Sequence, residues 1–370
     1  LEFRRVLFRS LTLKKRILLT SQTEDNIKAL QNYYIKNIQQ NRPDIIIEYS
    51  SFYKCSKILH YIIRASQMVK NYSVVVSDYT TSVFWKAQNG VYMSHGYGTK
   101  KSPGNSELGI KKMMDLYKGI RTRIKNVVTL SERGSTYFLR SKDLDKYDLP
   151  NYMPLGLPRN DMLFDKKYIS ACRNKFDSKY DTKGKKILLF CPTWRGFEID
   201  KKFPITKKDW IKFDKFMGDN NWKMIYRPHY LERLLDDKIF ANMKNIVTID
   251  FNEEMSTQSV LAVSDMVLTD YSSIYVDYLV LDRPICFLPY DVVQYGKERG
   301  LAIDFKKDID TPGPKLNGID DLISYVKDVS GDDDKYKNIR KTAQKNFYTY
   351  LDGDSCKRVW NLILNLADKK

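Results

Sequence analysis

A histidine followed by glycines and two lysines is the first place where this sequence could carry out chemistry. His95 follows a short apolar run, and Lys100 and Lys101 come a few residues later. The histidine could take a proton from an attacking hydroxyl, and the ammonium groups could attract an anion. A loop histidine without a chemical role is the alternative, and the residues alone leave both interpretations open.

Two arginines and a second histidine also follow apolar runs. Arg195 ends the segment Pro-Thr-Trp-Arg, and Arg227 and His229 flank Pro228. A guanidinium can hold two phosphate oxygens at once, so an arginine at a strand end suits a phosphate ligand. Surface arginines at turns and a structural histidine are the alternatives.

The segment Leu-Thr-Asp-Tyr-Ser-Ser at 268–273 leads from an apolar run into an apolar helix. Ser272 or Ser273 can cap that helix, and Thr269 stands at the preceding strand end. The free N–H groups and the positive dipole end of a helix start bind anions. Capping alone would also explain the serines.

Several other signatures are absent from the sequence. It contains neither a G-x-x-x-x-G-K-[ST] phosphate loop nor a G-x-G-x-x-G dinucleotide motif. Three histidines and five scattered cysteines give too few ligands at zinc spacing. We therefore predict no metal site, and reduced thiols in a cytosolic protein. The third histidine, His60, lies in an apolar helical stretch and is interpreted as structural.

The elements that must position these residues are short β-rich runs that alternate with helix-length segments. This alternation predicts βαβ units and parallel sheets. Ligands bind beyond the carboxyl ends of such strands, where the residues above lie. The first series of predicted strands is 16–20, 44–49, 73–77, 91–94 and 126–130. The second series is 186–191, 223–227, 246–250, 266–269 and 284–288.

The two series predict two doubly wound, Rossmann-like domains with a central cleft. We expect an N-terminal domain at 16–155, a linker at 156–185 and a C-terminal domain at 186–340. Helices at 341–370 are expected to pack back toward the N-terminal domain. The prolines and glycine of 151–160 favour the linker.

Residues 1–15 form a basic leader, with no apolar stretch long enough for a secretory signal. Two interpretations stay open: a remnant outside the fold, or a segment lying on an anionic membrane face.

Composition limits the class of protein. The 370 residues include 42% hydrophobic residues, enough for a full core, but no apolar run approaches the ~20 residues of a membrane span. The net charge of +18 suits a nucleic acid, an anionic membrane or a phosphate-rich substrate. A solvated lysine surface explains the charge equally well.

In their order, these motifs resemble the CDP-glycerol glycerophosphotransferase family, the teichoic acid primases and polymerases. The family's His-Gly-Thr-Pro-x-Lys loop is matched in part by His95 and Lys100, and Thr-Pro is replaced. Its Pro-Thr-Trp/Phe-Arg and Arg-x-His segments are matched at 192–195 and 227–229. The most specific match starts at 268–273 and continues to about residue 305.

The resemblance implies a GT-B-like fold, with the donor on the C-terminal domain and the acceptor on the N-terminal one. It also implies that an acceptor hydroxyl attacks the β-phosphorus of CDP-glycerol, or of another CDP-alditol, and releases CMP. His95 would be the general base, and His229 the second catalytic residue. Donor phosphates would be bound by Arg195, Arg227, Thr269, Ser272 and Ser273, and Lys100 and Lys101 would contact the acceptor or a phosphate.

The resulting prediction is a metal-independent transferase that builds a teichoic acid or capsule-like polymer. It would act on a lipid-linked or polymeric anionic acceptor, as a cytoplasmic protein peripheral on the inner membrane face. A GT-B glycosyltransferase that uses a nucleotide sugar is the first alternative. The second is a polyanion- or nucleic-acid-binding protein, although no nucleic-acid-binding motif is present.

Overall fold

The computed structural model describes residues 14–21, 25–51, 56–79, 82–93, 97–100, 124–134, 151–198, 203–229, 234–250 and 255–369. His95 and Lys101 lie outside the described residues, as does nearly all of the predicted basic leader.

The first sheet is built from six parallel strands, in the order β2-β1-β3-β4-β5-β6. Its apolar side chains form one hydrophobic cluster on each face of the sheet. Burial on both faces is expected of a parallel sheet. The strands are β1 Lys15–Ser21, β2 Ile45–Ser51, β3 Tyr72–Ser77, β4 Ala87–Met93, β5 Ile124–Val128 and β6 Asn151–Met153. Between these strands, the described residues form the α-helices α1 Asp25–Asn37 and α2 Lys57–Met68.

The second sheet has five parallel strands, in the order β11-β10-β7-β8-β9. The strands are β7 Lys186–Cys191, β8 Trp222–Tyr226, β9 Ile246–Thr248, β10 Met266–Thr269 and β11 Ile285–Phe287. The α-helices described in the rest of the chain are α3 Lys166–Tyr180, α4 Lys207–Asp219, α5 Thr257–Val263, α6 Ile274–Tyr278, α7 Val292–Glu298, α8 Ile319–Ser330, α9 Lys337–Phe347 and α10 Ser355–Asp368.

The prediction of two parallel-sheet, Rossmann-like units is therefore confirmed, and all ten predicted strands are found. The segment 156–185, predicted as a linker, is mostly helical. It holds the 3-10 helix Pro158–Phe164 and then α3, whose start is capped by Asp165 through the N–H groups of Lys167 and Tyr168. The prolines led us to predict a linker here. Pro158, however, lies in the first turn of its helix, where the N–H that proline lacks would have no helical partner.

The chain returns to the first sheet at its end. Val359, Trp360 and Ile363 of α10 are fully buried in the core of that sheet. The Trp360 indole Nε1–H donates to the Leu30 carbonyl in α1 over 2.9 Å. Helix α9, in contrast, buries Phe347 in the core of the second sheet.

The 3-10 helix Pro158–Phe164 contacts elements of both sheets. Toward the first sheet, the Arg159 N–H donates to the Asn26 carboxamide oxygen in α1 over 3.1 Å. Toward the second sheet, the Arg159 guanidinium binds the Asp277 carboxylate in α6 with two hydrogen bonds of 3.1 Å. This short helix therefore fixes how the start of α1 lies against the second sheet.

Candidate active site

A cavity of about 180 Å³ lies between elements of the two sheets, beyond the carboxyl ends of β7, β8 and β10. This volume is roughly ten times what a single water needs, so a small phosphate ester is a suitable occupant. Four of the residues singled out from the sequence line it together: Arg227, His229, Ser272 and Ser273.

Arg227 and His229 are held by the turn at the end of β8. The Arg227 N–H donates to the Phe190 carbonyl over 2.9 Å, and its Nη2 donates to the Met255 carbonyl over 3.0 Å. The His229 ring stacks on Trp194, with ring centroids 6.0 Å apart. Arg299 in turn lies over the Trp194 ring, 4.4 Å from its centroid. The turn therefore presents a cation and an imidazole to one wall of the cavity.

Ser272 and Ser273 lie at the start of α6, on the same cavity. The Ile274 N–H donates to the Ser272 hydroxyl over 3.4 Å, a long hydrogen bond. Ser273 occupies the cap position, but its side chain makes no capping hydrogen bond. Capping therefore does not account for the Ser273 hydroxyl.

Arg195 occupies a different place from the one expected of a phosphate ligand. Its side chain is fully buried, and it does not line the cavity. Nε and Nη2 donate to the Asp291 carboxylate over 2.7 and 3.0 Å, and Nη1 donates to Asp270 over 2.8 Å. Asp270 also accepts from the Thr193 N–H over 2.8 Å. Arg195 is therefore a positioning residue in this structure.

Three tyrosine rings surround the Arg195 guanidinium. Its Cζ atom lies 5.1 to 5.3 Å from the ring centroids of Tyr271, Tyr290 and Tyr295.

Thr269 also lies behind the cavity wall. Its hydroxyl donates to the Cys191 carbonyl over 2.6 Å and joins β10 to β7. The sequence placed Thr269 correctly at the strand end, but in this structure its hydroxyl faces the neighbouring strand.

Lys100 lies where the loop after β4 meets the second sheet's loops. The Thr99 hydroxyl donates to the Tyr271 carbonyl over 3.2 Å, and Lys100 pairs with Leu301 in an antiparallel bridge. Burial lowers the pKa of the Lys100 ammonium to about 8, although Asp270 opposes this shift. These two contacts hold the chain against loops of the second sheet a few residues after His95.

The cavity has two further charged residues, Arg159 and Asp277, that were not assigned a role from the sequence. They form the buried pair described above, and Asn160 adds a hydrogen bond of 2.9 Å to the Asp277 carboxylate. Arg159 is thus held rigidly at the cavity wall with its charge largely balanced. The sequence did contain a signal for Arg159, namely the polar run Pro-Arg-Asn-Asp at 158–161 within an otherwise apolar segment.

Asp25, the first residue of α1, was also missed. It lines the cavity from the side of the first sheet. Burial raises the pKa of its carboxyl to about 6, with Asp277 and Asp78 adding to the shift and Arg159 and Arg227 opposing it. No motif surrounds Asp25 in the sequence, so only the fold shows that it belongs to this site.

A family model supplies the decisive comparison. The model for CDP-Glycerol:Poly(glycerophosphate) glycerophosphotransferase matches residues 2–365. The chain belongs to this family. The sequence resemblance is therefore confirmed, and its most specific block, from 268 to about 305, holds Ser272, Ser273 and Asp277 of the cavity.

Among curated members of the glycerophosphotransferase family, similarity extends to both glycerol- and ribitol-phosphate enzymes. The teichoic acid ribitol-phosphate primase of Bacillus spizizenii is 28% identical over 212 residues, 57% of this chain and 52% of the relative. The teichoic acid glycerol-phosphate transferase of Staphylococcus aureus is 29% identical over 217 residues, 56% of this chain and 53% of the relative. The matched region thus spans about half the length of these relatives.

Solved structures confirm the GT-B-like fold of this family member. The wall teichoic acid polymerase TagF superposes with a TM-score of 0.73 at 21% identity, over 99% of this chain and 95% of that chain. The UDP-GlcNAc 2-epimerase of Neisseria meningitidis superposes with a TM-score of 0.60 at 12% identity, over 95% and 100% of the two chains.

Proposed function

We propose that the protein transfers an alditol phosphate, glycerol phosphate or ribitol phosphate, from a CDP-alditol to a hydroxyl of a lipid-linked or polymeric acceptor. The observation that carries the proposal is the cavity at the strand ends, where Arg227, His229, Ser272 and Ser273 converge in a member of this family. In the reaction, the acceptor oxygen bonds to the β-phosphorus, the bond from that phosphorus to the bridging oxygen breaks, and CMP leaves.

The cavity residues suit this chemistry. Phosphoryl transfer depends mainly on positioning and on stabilising charge. The Arg227 guanidinium can offset negative charge on the pyrophosphate, and the Ser272 and Ser273 hydroxyls can donate to its oxygens. His229 can stabilise the leaving CMP, and His95 is proposed as the base that takes the hydroxyl proton.

The two histidines are expected to differ in a measurable way. His95→Ala should abolish turnover and leave CMP binding largely unchanged, because the base contacts the acceptor. His229→Ala should impair turnover and also weaken donor binding. Initial rates and CMP affinities of the two variants test this division, and near-normal turnover of His95→Ala would show that the base is another group.

We also propose that no metal ion is needed, since the basic side chains of the cleft can supply the positive charge. Turnover should persist after exhaustive treatment with a chelator. Loss of turnover that added Mg²⁺ restores would contradict this part of the proposal.

The place of action is proposed to be an anionic membrane surface. None of the helices in the described part of the chain is both long and apolar enough to cross a membrane. Helix α2, however, exposes apolar side chains to solvent: Ile58 by 75%, Leu59 by 49%, Tyr61 by 76% and Ile62 by 60%. The sequence from 49 to 77 contains four basic residues and no acidic one. An exposed apolar helix face in a basic stretch of the chain suits a surface of anionic lipid.

Vesicle sedimentation tests this surface. The wild-type protein should bind vesicles that contain phosphatidylglycerol, and the double change Ile58→Ser with Ile62→Ser should reduce binding several-fold. Ile211→Ser is the matched control, because Ile211 is 56% exposed on α4 of the second domain. Equal loss in the control, or no binding by the wild type, would contradict the assignment of α2.

Thermal stability with CMP, CDP, UMP, UDP and GDP at matched salt tests the donor class. A protein with a net charge of +18 can gain stability from any phosphate, so only the differences between bases count. A ligand at 100 times its dissociation constant adds about 2.7 kcal/mol, which shifts the melting temperature clearly. Selective stabilisation by CMP or CDP is expected. Preference for UDP would favour a nucleotide-sugar glycosyltransferase instead.

A further inference from the structure

One wall of the cavity carries an acidic residue that a site built only for phosphates does not need. Arg227, His229, Ser272 and Ser273 come from the second domain, whereas Asp25 comes from the start of α1 in the first domain. A carboxylate close to a pyrophosphate would be repelled by it. Its presence therefore points to a different part of the substrate.

Asp25 is held in place from the first domain. Its neighbour Asn26 is buried, and the Asn26 carboxamide accepts a hydrogen bond of 3.1 Å from the Arg159 N–H. Arg159 is itself fixed by its two hydrogen bonds to Asp277. The start of α1, and with it Asp25, is therefore set against the cavity by a rigid chain of contacts.

The second acid of the cavity, Asp277, is already engaged. Both of its carboxylate oxygens accept hydrogen bonds from Arg159, and Asn160 adds another. Asp277 thus has a structural role that accounts for its presence. The contacts of Asp277 do not account for Asp25, which belongs to α1 of the first domain.

A carboxylate accepts hydrogen bonds from O–H and N–H groups and donates none when ionised. In the proposed substrates, the groups that offer O–H donors next to the transferred phosphate are alcohol hydroxyls, those of the alditol and that of the acceptor. We propose that the Asp25 carboxylate accepts a hydrogen bond from such an alcohol hydroxyl. This inference rests on the proposed function, and it assigns to the first domain a contact with the reacting alcohol.

The carboxyl is suited to this contact on electrostatic grounds as well. Its pKa of about 6 leaves it ionised at neutral pH. In the described part of the chain, Arg159, Arg227, Asp277 and Asp78 act on its charge, and His229 lines the same cavity. Because the two arginines lie close, an ionised Asp25 does not stand alone among negative charges.

The test compares the isosteric variant Asp25→Asn with the wild type. Binding of CMP, CDP, CDP-glycerol and CDP-ribitol is measured by calorimetry, and turnover is measured across pH 5 to 9. The wild type and Asp25→Asn should bind CMP and CDP with the same affinity, within about twofold. Loss of a hydrogen bond to a charged group is expected to reduce affinity or rate by about 10- to 100-fold.

The two sources of the hydroxyl give different results. If the alditol of the donor supplies it, Asp25→Asn weakens CDP-alditol binding and leaves CDP binding unchanged. If the acceptor supplies it, donor affinities stay unchanged and kcat falls. Asp25→Glu, which keeps the carboxylate, should recover part of the loss in either case.

The matched control is Asp165→Asn, the same substitution at the start of α3, away from the cavity. This control should change neither binding nor turnover. The inference is overturned if Asp25→Asn leaves all constants unchanged, or if it weakens CDP and CDP-alditol equally. If the wild type itself binds no CDP-alditol, the proposed function fails, whatever Asp25→Asn shows.

Discussion

At the scale of single residues, the cleft combines side chains that line the cavity with side chains that hold the loops behind it. Arg227, His229 and Ser273 face the cavity, while Arg195 and Thr269 hold the loops from behind. The sequence assigns Arg195 and Thr269 to the same phosphate-binding group as Arg227 and Ser273, because a strand-end position is shared by both kinds of residue. Only side-chain packing separates a buried guanidinium with two carboxylate partners from one that faces a cavity.

Asp25 is expected to lower the stability of the folded protein at neutral pH. Its pKa is raised from 3.8 to about 6, so the folded state binds a proton more tightly than the unfolded chain. Stability from this group is therefore present at low pH and is lost as pH rises from about 4 to 6. Asp25→Asn should stabilise the protein by about 1–2 kcal/mol at pH 8, after the lost helix-start charge is deducted.

Urea unfolding at two pH values checks this expectation. The gain from Asp25→Asn should be clear at pH 8 and should vanish below about pH 3, where the wild-type carboxyl is protonated in both states. A gain of equal size at both pH values would show that the carboxyl does not carry a raised pKa.

Arg195 should contribute to stability far more than a surface arginine. Arg195→Met would leave Asp270 and Asp291 buried without their cation, which costs about 3–5 kcal/mol. Arg16→Met is the matched control, since Arg16 is 44% exposed in its pair with Glu48 and exposed pairs contribute about 0–1 kcal/mol. Denaturant unfolding measures both, and similar small losses would contradict the positioning role of Arg195.

At the scale of elements, the alternation of strands and helices was readable from the sequence, whereas short elements were not. All ten predicted strands are found. They could be predicted because each is an apolar run bounded by turn residues. The missed strand Asn151–Met153 has only three residues and is followed directly by Pro154, so its pattern indicated a turn. The missed helix Lys166–Tyr180 has one fully buried residue, Phe176, and thus a weak apolar pattern.

Helix α10 should be essential to the first domain even though it comes last in the chain. Trp360 is 1% exposed and packs in the core of the first sheet. Trp360→Ala should therefore lower the free energy of unfolding by about 3–5 kcal/mol. Trp85→Ala is the control, because Trp85 is 46% exposed. Equal effects in denaturant titrations would contradict the packing of α10 described above.

At the scale of the whole molecule, two parallel-sheet units bring their strand ends to one cleft, and the short helix Pro158–Phe164 connects them there. Family resemblance predicted this arrangement and singled out four residues of the second domain that line the cavity. It did not predict Asp25 or Arg159, because these lie outside the family motifs and reach the cavity only through the tertiary fold. Residues that act across two domains are in general the hardest to find from local patterns.

The decisive experiment is an assay of CMP release by the purified protein from CDP-glycerol and CDP-ribitol, with a lipid-linked acceptor present. We expect acceptor-dependent CMP release from at least one donor, strongly reduced in His229→Ala, and no product from UDP-sugars. If the folded protein releases CMP from neither donor, or transfers sugar from a UDP-sugar, the proposed function is wrong.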